Sequence, residues 1–269
     1  FVPMPALDCG IAVAPVRHRA LAGGASARAM RKLCAYAELT KPRITVLIVM
    51  VAAASFWLGS KGAPDLRMLR NAVIGVSLLA AGVFALNQYL ERDLDALMRR
   101  TENRPVPTHR LRPVEALGFG AAIGLMSVVW LGWEVNLLSG CLAIFTLASY
   151  LFLYTPSKTR TPHSTLLGAF PGATPPLFGW AAARGDLGLE AGVFFAILFF
   201  WQFAHFHAIA WVHREDYARA AICMWPVIEP EGRTTIRQIV GFTVLLLPAS
   251  LLPSLLGIAG PVYLCGAVL

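Results

Sequence analysis

Seven stretches of this chain stay apolar for close to the length that the hydrocarbon core of a bilayer imposes on a helix, and no other feature constrains the fold as tightly. They run from Ile44 to Leu58, Asn71 to Tyr89, Val114 to Trp133, Leu137 to Tyr154, Ser164 to Ala183, Ala191 to Val212 and Ile239 to Leu256. Gly257 to Pro261 then turns into the start of an eighth. A backbone in lipid must satisfy its own N–H and C=O groups, so runs of this length read as helices. The expected fold is all-α, a polytopic transmembrane helix bundle with about eight helices in this sequence. Composition agrees where it matters: only 14% of residues are charged, against about 25% in a soluble domain.

The net charge of +8 invites a nucleic-acid reading, but no aromatic-basic module accompanies it, and no nucleic-acid partner is expected. The basic residues sit in the tail and loops. Seven of the 23 lie before or at Arg43, six between residues 91 and 112, two between 155 and 163, and four between 213 and 237. Only Lys61, Arg67, Arg70 and Arg184 fall on the other side. The positive-inside rule therefore puts the tail and all three polar loops in the cytoplasm. A bacterial inner membrane is the expected location, with the mitochondrial inner membrane as the lesser alternative.

Residues 1–35 are rich in Ala, Arg and Gly and read as a disordered cytoplasmic tail, with residues 36–269 as the membrane domain. The five cysteines are scattered without a C-x-x-C pair, so neither a disulfide framework nor a zinc site is expected. The chain begins with Phe and ends in an apolar stretch, and is expected to be truncated at one or both ends.

The most informative loop is NQYLERDLDALMRRTENRPVP, Asn87 to Pro107. Asn87, Glu91 and Asp95 are spaced i, i+4, i+8 and fall within roughly an 80° arc of a helix, whereas Asp93 points elsewhere. Arg92, Arg99, Arg100 and Arg104 follow closely. Oxygen ligands beside arginines at the mouth of a membrane helix suit a Mg²⁺-bound diphosphate, because Mg²⁺ shares its shell between a few carboxylates and phosphate oxygens and Arg grips phosphate in a fork. A solvated, positive-inside loop would carry the same mixture.

That stretch resembles the first signature of the UbiA-type intramembrane prenyltransferases, in the form found in their protohaem IX farnesyltransferase (haem O synthase) branch. The family has Asp where this chain has Glu91, one methylene longer, which leaves direct and water-mediated metal contact both open. Leu39 to Arg43 resembles the family's Leu-Thr-Lys-Pro-Arg entry, with Lys41 read as an interfacial anchor and Arg43 as a contact to an anionic substrate. Tyr154 to Arg160 resembles its Tyr-Thr-x-x-Lys-Arg element. Trp201, His205, Phe206, Asp216 and Tyr217 match its Trp-x-x-x-His-Phe and Asp-Tyr elements, and Arg214-Glu215-Asp216 stands where other branches carry a second Asp-rich motif.

The resemblance implies nine membrane helices and a prenyltransferase that moves the farnesyl group of farnesyl diphosphate to a vinyl group of haem b, with water supplying a hydroxyl. Asn87, Glu91 and Asp95 would hold Mg²⁺, and Arg99, Arg104, Lys158 and Arg160 would neutralise the leaving diphosphate. Asp216 is open to two parts, a second metal ligand or an orienter of a basic residue. Arg214 and Tyr217 join the substrate-binding set, as does His205, which would hold haem at its iron or at a propionate. His207 projects about 200° from His205 and reads as a packing residue. Membrane lipid is the surrounding partner, and haem A synthase or a terminal oxidase the implied protein partners. The alternatives are prenylation of a quinone precursor or a chlorophyll-type ring, and a haem-binding assembly factor without catalysis.

Overall fold

The computed structural model describes residues 25–268. The helices are α1 (Ala25–Leu39), α2 (Pro42–Gly59), α3 (Leu66–Leu90), α4 (Arg92–Asp95), α5 (Pro113–Trp130), α6 (Leu137–Ala148), α7 (Thr155–Ser157), α8 (Ser164–Gly172), α9 (Pro175–Arg184), α10 (Leu189–Val212), α11 (Arg214–Arg219), α12 (Trp225–Ile228), α13 (Arg233–Leu255) and α14 (Pro261–Val268). Among the described residues, six helical stretches are long and apolar enough to cross a bilayer. The broken pair α8–α9 covers the remaining full apolar stretch, and α14 follows α13. The expectation of an all-α membrane bundle is borne out.

Helix boundaries follow local chemistry. Pro42, Pro113 and Pro175 open α2, α5 and α9 at the position where a missing N–H costs nothing. Asp65 caps α3, its carboxylate accepting the Arg67 and Met68 N–H groups at 2.9 and 3.1 Å. π-helical turns extend α5 over Leu131–Val135 and α6 over Ser149–Tyr154. Such turns rotate the residues that follow them, and they recur at functional sites. Here the second one delivers Tyr150 and Tyr154.

α3 is the central helix, packed on α5, α2 and α9, and α10 pairs with α13. The α3–α5 contact is close because a Cβ at Gly82 would stand 2.8 Å from the Gly124 backbone. Small residues let membrane helices approach in this way. The α8–α9 break is packed inside the bundle. Ala173 and Thr174 are buried, and the Thr174 hydroxyl donates to the Pro171 carbonyl at 2.7 Å. Pro176 lines an apolar cavity of about 510 Å³ with Val51, Leu198, Trp201 and Leu246.

One boundary differs from the sequence reading. Residues 25–35, expected to belong to a disordered tail, join residues 36–39 in α1, because Ala35 and Leu39 bury against Ala85, Val106, Leu111 and Ala116. The rest of that expected tail, residues 1–24, lies outside the described residues.

Candidate active site

The loop between the second and third spans meets the segments after the fourth and sixth spans at the basic end of the bundle. Asn87, Glu91 and Asp95 keep the expected common face although α3 ends at Glu91. The Glu91 N–H bonds the Asn87 carbonyl at 2.9 Å and the Asp95 N–H bonds the Glu91 carbonyl at 2.7 Å, so the helical register carries into α4. All three side chains are buried, Asp95 completely, while Asp93 is exposed.

Each of the three meets a polar group. The Asn87 amide donates to Thr155 Oγ1 at 3.4 Å. Lys158 Nζ stands 2.6 Å from Glu91 Oε1 and 4.5 Å from the centre of the Tyr154 ring. Arg104 Nη1 stands 2.6 Å from Asp95 Oδ2. Burial raises the pKa of Asp95 even against the opposing charge of Arg104. For Lys158, burial acts to lower the pKa, but Glu91 with the Tyr154 and Tyr150 rings outweighs it and the pKa is raised.

Lys41 is the site residue that sequence reasoning passed over as an anchor. Its backbone is left-handed, with φ 46°, and its ammonium lies 4.8 Å from the centre of the Phe84 ring. Burial, with Arg104 and Lys158 nearby, pushes its pKa down to about 7, against the pull of Glu91 and Asp95. The available signal was a basic residue immediately before the proline that opens the first span. Arg43, the residue preferred from sequence, is exposed.

The remaining candidates divide. The Asp216 carboxylate accepts the backbone N–H groups of Arg99 and Arg100 at 3.3 and 3.4 Å and pairs with Arg219. It therefore ties the backbone of the loop at Arg99 and Arg100 to α11. Tyr217 is buried, and its hydroxyl accepts from Arg100 at 3.1 Å. The side chains of Arg99 and Arg160 are exposed at the rim. Arg214 turns back on Trp211, donating to its carbonyl at 3.2 Å, and so leaves the cluster.

The two histidines part as their spacing requires. His207 is buried with Nδ1 2.8 Å from the Phe203 carbonyl oxygen, which makes it a packing residue. His205 is exposed on the helix surface, stacked on Trp201 at 4.6 Å, with Trp201 at the cavity wall.

Residues 46–269 match the model of the UbiA prenyltransferase family. The chain belongs to that family. Among curated relatives, the protoheme IX farnesyltransferase of Solibacter usitatus is 53% identical over 243 residues, covering 87% of this chain and 83% of the relative. That of Koribacter versatilis is 47% identical over 240 residues, covering 87% and 76%. A UbiA homologue from Archaeoglobus fulgidus, solved bound to GPP and Mg²⁺, superposes with a TM-score of 0.70 at 14% identity, covering 87% of this chain and 84% of that one. At that identity the likeness is one of fold.

The UbiA donor set also fits a metal by its own chemistry. Asp95 Oδ1 is buried and has no hydrogen-bond partner among the described residues, a costly state that a bound cation would relieve. No group of three or more His, Cys, Asp or Glu side chains placed to hold a metal ion occurs among the described residues. Asn87, Glu91 and Asp95 thus offer one amide and two carboxylates, too few to enclose an ion. That suits Mg²⁺, which keeps positions for phosphate oxygens and water.

Proposed function

We propose that this protein is a protohaem IX farnesyltransferase, joining the farnesyl group of farnesyl diphosphate to a vinyl carbon of haem b with addition of water, to give haem O. The observation that carries the reading is the buried cluster of Asn87, Glu91 and Asp95 faced by Lys41, Arg104 and Lys158, in a chain 53% identical to a protein of that name.

The chemistry follows from the charges. Breaking the allylic C–O bond leaves negative charge on the diphosphate and positive charge on the farnesyl carbons. Asn87, Glu91 and Asp95 would hold Mg²⁺, which would supply Lewis-acid stabilisation of the diphosphate. Lys41, Arg104 and Lys158 bind its oxygens, and being fixed in place they need little reorganisation as charge grows. Asp216 acts one step removed, holding the loop that presents Asp95 and Arg104. Tyr154, whose ring lies beneath the Lys158 ammonium, would add an aromatic face favourable to the positive charge of the allylic cation. The apolar cavity walled by Val51, Leu198 and Trp201 offers room for the hydrocarbon parts of the substrates. His205, at its Trp201 edge, contacts haem at the iron or at a propionate. Arg43, Arg99 and Arg160 draw the anionic substrate to the rim.

The site lies on the basic side of the bundle, so it faces the cytoplasm of a bacterial plasma membrane, with haem A synthase or a terminal oxidase receiving the product. The test is reconstitution in proteoliposomes with haem b, farnesyl diphosphate and Mg²⁺, followed by mass spectrometry of the haem. The expected product gains one farnesyl group and one hydroxyl, with the diphosphate and the water's proton released, and is lost with Glu91→Gln and Asp95→Asn. Unmodified haem, with delivery of both substrates verified, overturns the reading and points to an aromatic acceptor.

A further inference from the structure

We infer that α1 is an in-plane membrane helix, docked through one face to the bundle and through the opposite face to the lipid monolayer on the basic side. The argument starts from the azimuths of its residues. At about 100° per residue, Met30, Leu33, Cys34 and Ala37 fall within an arc of roughly 100°. Ala35 and Leu39, the buried residues of α1, point roughly the opposite way. Met30 and Leu33 are 60% and 62% exposed, so the outer arc is apolar and uncovered by the described residues. Arg28, Arg31 and Lys32 all lie off that arc.

Depth identifies what covers it. Tyr36 stacks on Phe119 at 4.9 Å, and Phe119 lies six residues, roughly 9 Å, into the membrane span α5. Ala35 and Leu39 pack with Ala85, itself more than a turn inside the end of α3. The carboxy-terminal half of α1 is therefore held at the level of the membrane boundary, and only Thr40 and Lys41 separate it from span α2. A face held there and turned away from the bundle meets lipid.

Two ion pairs fix the roll of the helix. Lys32 Nζ lies 2.6 Å from Glu115 Oε1, and Glu38 receives Arg110 through two bonds of 2.6 and 3.0 Å. The segment 25–43 carries five basic residues and one acidic residue, so acidic headgroups are the favoured lipid class.

The test uses the full chain in nanodiscs of phosphatidylcholine, with or without phosphatidylglycerol, with nitroxide labels at Leu33→Cys and, as a solvent reference, Lys61→Cys. The native cysteines are replaced in both, and a monodisperse elution profile checks folding. Expected is a label at position 33 that oxygen relaxes several-fold more strongly than the aqueous nickel reagent, with the order reversed at position 61. Phosphatidylglycerol is expected to increase the contrast at position 33, and Arg28→Gln with Arg31→Gln to remove that increase. A position-33 label accessible to nickel overturns the inference, because the face is then in water. A label shielded from both reagents also overturns it, because protein then covers the face.

Discussion

The ammonium of Lys158 lies 2.6 Å from a carboxylate oxygen of Glu91, joining residues 67 positions apart. Arg104 does the same to Asp95. Each acid that would hold a metal is thus already neutralised by a cation that would hold a diphosphate. Mg²⁺ alone must displace the cations, and diphosphate alone must strip them from the acids. Together they exchange partners without leaving a charge bare. Inorganic diphosphate and Mg²⁺ are therefore expected to bind each other's complex with the protein more than about tenfold tighter than either binds alone, a coupling of roughly 1.4 kcal/mol. Isothermal titration of each ligand with and without the other measures it, and Glu91→Gln should abolish it.

Asp95 carries a conflict between stability and function. Its pKa is raised in the folded protein, so ionised Asp95 detracts from stability at neutral pH, and the cost disappears as pH falls below its ordinary value of 3.8. Asp95→Asn removes the charge at every pH. The variant is expected to lose at least about 10²-fold in kcat, yet in the absence of ligand to melt no lower than the parent at pH 7. Thermal unfolding in detergent beside the farnesyl-transfer assay decides both halves.

Asp216 is expected to act through the loop it holds. Asp216→Ala leaves the Arg99 and Arg100 N–H groups without their acceptor. A fall in kcat/KM of roughly tenfold, equivalent to about 1.4 kcal/mol, is expected with an unchanged Mg²⁺ concentration for half-maximal rate. A metal ligand at this position would raise that concentration instead.

Lys41 should report on occupancy through pH. With a folded pKa of about 7, below its ordinary 10.5, its contribution to stability is present above 10.5 and lost as pH falls through about 7. Bound diphosphate favours the ammonium and reverses that shift. At pH 8, binding of Mg²⁺ and diphosphate is expected to take up a proton, seen as an enthalpy that varies with the ionisation heat of the buffer. Lys41→Met should remove the variation.

Gly179 tests the packing that carries the site. A Cβ there would overlap the Ala52 carbonyl oxygen and crowd the Phe56 N–H, both backbone atoms of α2 that cannot step aside. Gly179→Ala is expected to cost at least about 1–3 kcal/mol and to shorten the active lifetime on heating. Gly118→Ala, where nothing lies within 4 Å, should behave as the parent.

The sequence by itself determined the bundle and the acidic face of the site. Hydropathy alone delimits membrane helices, because lipid offers a backbone no other way to satisfy its hydrogen bonds. The i, i+4, i+8 spacing of Asn87, Glu91 and Asp95 is likewise a local property, and it survived the helix end at Glu91 because the i to i−4 bonds did. Which cation meets which acid was decided only by tertiary structure. Lys41 and Arg43 are two residues apart, and a left-handed backbone at Lys41 places the first in the cluster while the second stays exposed. Asp216 reads in sequence as a metal ligand or an orienter of a basic residue, and its contacts with backbone N–H groups more than a hundred residues away come only from the fold. The place of α1 was likewise decided by the fold, since Ala35 and Leu39 are buried by contacts with α3, α5 and the loop before α5 that lie far from them in sequence.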